Sequence, residues 1–75
     1  MANPVIVFDP CGAARRHTKA IEARIEQLSA DLQWLKAHRG APDVDAVIPL
    51  VEQELSDQKD QLTSWQDFGS KFNCP

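Results

Sequence analysis

Two apolar stripes, each advancing in alternating steps of four and three residues, constrain this chain more than any other feature. The first comprises Ala14, Thr18, Ile21, Ile25, Leu28, Leu32, Leu35 and Arg39. The second comprises Val44, Ile48, Val51, Leu55, Gln58, Leu62, Trp65, Gly69 and Phe72. That spacing keeps a continuous seam on one face of an α-helix, so each stripe predicts a helix that packs along its whole length.

Neither Gly nor Pro interrupts residues 13–39. At 1.5 Å per residue this is a rod of roughly 40 Å. Gly40 suits the end of that helix, and Pro42 suits the first turn of the next. Pro49 lacks an N–H and crowds the carbonyl of Asp45, which predicts a kink or break near residues 45–48. Pro4, Pro10 and Gly12 mark residues 1–12 as non-helical. The expected organisation is one domain: an extended arm over 1–12, a helix over 13–39, a turn over 40–43 and a second helix over 44–72.

Two rods of equal length joined by so short a turn must run antiparallel. The fold class is therefore all-α, an antiparallel two-helix hairpin of coiled-coil type. Its register follows from the numbering. Leu35 faces Ile48, Leu28 faces Leu55, Ile25 faces Gln58, Thr18 faces Trp65 and Ala14 faces Gly69, each pair adding to 83. Gln58 is the polar member of an apolar row, a residue type that fixes register at some cost in stability.

With 75 residues, a chain buries only about 60% of its unfolded surface and commonly needs a staple or a partner subunit. The register brings Cys11 and Cys74 to the same open end. A disulfide there would constrain the unfolded chain by roughly 4 kcal/mol. Two free thiols are the alternative. Metal binding with His17 is a third, disfavoured because no ligand pair has zinc-site spacing. No metal or other cofactor is expected.

Charge divides along the hairpin. Residues 1–39 carry six cations against four carboxylates, net +2, and residues 40–75 carry two against seven, net −5. Halves of opposite sign lie readily against each other. The overall charge of −3 argues against a general nucleic-acid binder, which must displace counterions with positive charge. No apolar run approaches the ~20 residues of a membrane span. With no signal-peptide pattern, the expected compartment is the cytoplasm, although the cysteine pair also fits an oxidising one.

Sites of chemistry are sparse. Ser29, Ser56, Ser64 and Ser70 have no triad-type partners, no Gly-rich phosphate loop is present, and Glu22 and Glu26 read as a solvated helix face. His17 and His38 are too far apart on one helix to share a site, and His38 with Arg39 suits the helix C-terminus. The expectation is that the protein is not an enzyme.

Trp34 is the most informative residue. It falls outside the seam, and a large aromatic so placed marks an interface or a second packing layer. Ala20, Ala23, Gln27, Ala30 and Ala37 also lie off the seam, and small side chains there permit close helix approach. On the second helix, Val47 and Phe68 widen the apolar face. A homodimeric four-helix bundle would cover this surface, and a different partner protein is the alternative. Arg15, Arg16 and Lys19 form the densest basic cluster, expected either to be compensated by Asp60 and Asp67 or to dock on an acidic protein surface. Val5, Val7 and Phe8 form a candidate binding arm.

In outline the chain resembles small bacterial and phage helical hairpins: dimeric regulators, secretion chaperones, toxin-neutralising proteins and inhibitors. The likeness is architectural and implies no single activity. The expected function is a protein-binding module that occupies a surface of a partner, with self-oligomerisation or RNA binding by a small bundle as alternatives.

Overall fold

The computed structural model describes residues 7–75. Two helices, α1 (Pro10–Ala37) and α2 (Pro42–Lys71), pack against each other as an antiparallel hairpin. Neither is long and apolar enough to cross a membrane.

α1 begins three residues earlier than its periodicity predicts, and the reason lies in its cap. Asp9 accepts a hydrogen bond from the Gly12 backbone N–H at 3.0 Å, and Pro10 takes the first helical position, where a missing N–H costs nothing. Pro10 and Gly12 therefore belong to the helix start, and the arm is correspondingly shorter than residues 1–12. A Cβ on Gly12 would collide with the Asp9 carboxylate, so the glycine makes room for the cap.

Between the helices, His38 closes α1 with an N–H bond to the Leu35 carbonyl, and Gly40 adopts a φ of +111° that few other residues accept. Asp45 reaches back from α2 to accept from the Gly40 N–H at 3.2 Å. α2 then runs unbroken through Pro49, so of the kink or break expected near residues 45–48 a break does not occur. Pro49 sits on an exposed side of the helix near its start. The one hydrogen bond it removes is offset by Ile48 and Val51, which anchor the adjoining turns in the seam.

At its far end α2 stops in a Schellman turn. Asn73 takes the left-handed conformation with a φ of 52°, its N–H bonds to the Ser70 carbonyl, and the Cys74 N–H returns to the Gly69 carbonyl at 3.1 Å. The turn directs Cys74 back across the helix end toward Cys11. Cys11 and Cys74 form a disulfide there, with Cα atoms 5.4 Å apart across a separation of 63 residues.

Burial follows the two stripes. Ala14, Ile21, Ile48, Gln58 and Gly69 are buried, and most other seam residues are half-covered. Ala13 is buried as well, although it lies off the stripe. No large side chain is fully enclosed among the described residues, because two helices meet along a line and leave both flanks of that line open. Gln58 satisfies its polarity locally, donating from Nε2 to Glu54 Oε1 at 3.1 Å.

Candidate functional site

Side by side, α1 and α2 form a layer two helices wide and one helix thick, with two broad faces. The faces differ in chemistry. One carries Trp34, Val47, Leu50, Phe68 and Phe72; the other carries Arg15, Lys19, Glu22, Lys36, Glu52, Gln66 and Ser70. Among the described residues, each face has one ion pair bridging the helices. Arg24–Glu54 at 3.5 Å crosses the middle of the Trp34 face, and Lys36–Glu52 at 3.9 Å crosses the polar face.

Near the turn, Trp34 is 56% exposed despite its size. It is nonetheless held in place. Its indole stacks on the His38 imidazole with ring centroids 4.0 Å apart, and His38 Nδ1 donates to the Trp34 carbonyl at 2.7 Å. A large apolar side chain already fixed in one orientation loses little rotamer entropy on binding. Beside it a shallow groove of about 270 Å³ is lined by Asp31, Trp34, Leu35, Val47 and Val51. Leu50, 68% exposed, continues the patch along α2.

The open end of the same face is aromatic. His17 from α1 stacks on Trp65 from α2 at 4.1 Å with the rings 6° from parallel. Trp65 meets Phe68 edge-on at 5.2 Å, and Phe68 meets Phe72 at 5.0 Å. The sequence reading missed this chain of contacts. Its signal was present: His17 lies one residue before Thr18, the residue predicted to face Trp65.

On the polar face, a groove of about 400 Å³ crosses the open end, with Cys11, Arg15, Lys19, Trp65, Gly69 and Cys74 among its walls. Arg15, Arg16 and Lys19 are exposed. The ion pairs among the described residues do not involve them, so no direct salt bridge joins this cluster to Asp60 or Asp67.

The sequence-derived binding residues are thereby divided. Trp34 lies near the turn on one face, while Arg15 and Lys19 lie at the open end on the other, roughly 25 Å away along α1. Arg16 reaches back to the first turn of α1, its Nη1 beside Gly12. Val7 and Phe8 precede α1 at the open end and are exposed; Val5 lies outside the described residues. Among the described residues no group of three or more His, Cys, Asp or Glu side chains is placed to hold a metal ion.

Comparison with protein-family models, with curated proteins and with solved structures finds no match to this chain.

Proposed function

We propose that the protein is a non-enzymatic protein-binding module that acts by presenting its Trp34 face to another protein chain. The observation that carries this reading is the pairing of exposure with fixation at Trp34. Apolar patches of this kind on small proteins mark interaction sites, and the aromatic anchor is the residue type that dominates interface energetics. Arg15, Arg16 and Lys19 contribute a separate, electrostatic contact with an acidic surface, and Val7 and Phe8 extend it at the open end.

Self-association into a four-helix bundle is the second reading, favoured by the opposite net charges of the two helical halves. A photo-cross-linking residue placed at position 34, and in a control at position 56 on the polar face, tests the proposal in cells that make the protein. Discrete adducts from position 34 and none from position 56 are expected. Equal labelling from both positions would remove Trp34 from the interface.

A further inference from the structure

We infer that the protein chain covering the Trp34 face is a second copy of this one, related by a two-fold axis parallel to the helices, so that α1 of each protomer lies over α2 of the other with the turns at the same end. The inference rests on the reading of that face as a protein-binding surface and assigns its occupant.

Three observations carry it. The first is charge. Face-to-face stacking of two hairpins admits two simple two-fold arrangements. An axis across the helices sets α1 on α1 and α2 on α2, placing Glu54 and Asp57, near the middle of α2 on this face, against their own copies. An axis along the helices instead sets Arg24 of α1 over the Glu54–Asp57 stretch of the second copy's α2, twice. The Arg24–Glu54 pair at mid-face then meets its own inverted image, giving a quartet of alternating sign.

The second observation is the distribution of apolar side chains. Trp34, Val47 and Leu50 cluster at the turn end, and Phe68 and Phe72 cluster at the open end, with polar residues between. With turns together, the Trp34 patch meets the partner's Trp34 patch, and the polar middle meets the polar middle. The antiparallel register that pairs outward positions within this geometry sets Trp34 opposite Leu50 of the second copy, Gln27 opposite its Asp57 and Ala20 opposite its Ser64. Bulk thus faces bulk near the turn, and small faces small beyond the middle.

The third is area. A face about 40 Å long and about 20 Å wide offers about 800 Å² per protomer, the size of a standard stable interface. It would also supply the second layer that the half-covered seam residues lack. Arg15 and Lys19 remain on the outer surface.

The decisive experiment combines solution mass with mapped cross-links. Wild-type protein should have twice the 8.4 kDa chain mass in light scattering at micromolar concentration. Leu50→Glu should return it to the monomer mass with its helical circular dichroism retained, since Leu50 is mostly exposed. A photo-cross-linker at position 27, in a mixture of light and heavy-isotope copies, should yield mixed-isotope adducts near residue 57. Mixed adducts within α1 instead would overturn the two-fold arrangement. A monomer at all concentrations, with no mixed adducts, would overturn the second copy as occupant. In that event adducts of other mass from position 34 in cells would keep the protein-binding reading, and their absence would remove both.

Discussion

The two ends of the hairpin solve the same problem, holding two helices together, by different means. Near the turn the chain itself joins α1 to α2, and the seam is filled by branched residues: Leu35, Val44, Ile48 and Val51. At the open end the seam narrows to Ala14 against Gly69, and a cysteine pair supplies the connection. Small residues let backbones approach closely but offer little apolar area of their own, and at this end a covalent link joins the helices. Their tryptophans differ in the same sense. Trp65 is built into the contact between helices through His17, whereas Trp34 stacks only on His38 of its own helix and turns outward.

Breaking the staple tests that contrast most severely. Cys11→Ser, or reduction of the wild type, should cost roughly 4 kcal/mol in urea unfolding. An unchanged midpoint with and without reductant would show that the open end holds without it. Next in size, Ile48→Ala at the turn end should cost about 2–4 kcal/mol by deleting one of the few buried branched side chains.

Gly69 sharpens the comparison. A Cβ there would lie 3.6 Å from Ala14 Cβ and 3.8 Å from Cys74 Cβ, ordinary contact distances. Gly69→Ala should therefore gain up to about 1 kcal/mol from helix propensity, while Gly69→Leu should lose about 1–3 kcal/mol by forcing the helices apart. Thermal melts of the two variants should shift in opposite directions; a loss in both would mean that the close approach tolerates not even a methyl group. Asp9→Ala removes the cap of α1 and should cost about 1 kcal/mol, seen as faster amide exchange confined to the first turn. The smallest effect belongs to Trp34→Ala. At protein concentrations low enough to separate any copies, helical signal and midpoint should change by about 0.5 kcal/mol or less, as for other exposed positions.

Much of this was legible before any coordinates. Alternating steps of four and three specify both the helical period and the contacting face, and equal stripe lengths with one short turn leave a single pairing register. That is why Gln58 could be placed opposite Ile25, Gly69 opposite Ala14, and Cys11 beside Cys74. What resisted reading depends on local chemistry that periodicity does not encode. Pro10 and Gly12 look like helix breakers until Asp9 is recognised as a cap, and Pro49 looks like a break until its exposed position near the start of α2 is weighed against the seam contacts around it. The division of the basic cluster from Trp34 required knowing both which face and which end each occupied. Heptad position supplied the first for Trp34, while the stacking of His17 on Trp65, which separates His17 from Arg15, Arg16 and Lys19, went unread although His17 adjoins the residue predicted to face Trp65.

The cysteine pair also has a topological meaning. With Cys11 and Cys74 bonded, the chain between them is a closed ring, and the turn at Gly40 is one of two crossings between the helices. A protease that cuts at residues 38–41 then releases nothing: the nicked molecule migrates as one species until reductant divides it into two helices. By the same logic the natural turn is not the only place where the ring can be opened, and a permuted chain starting at Ala41 and joining the present ends through a short linker should reach the same hairpin.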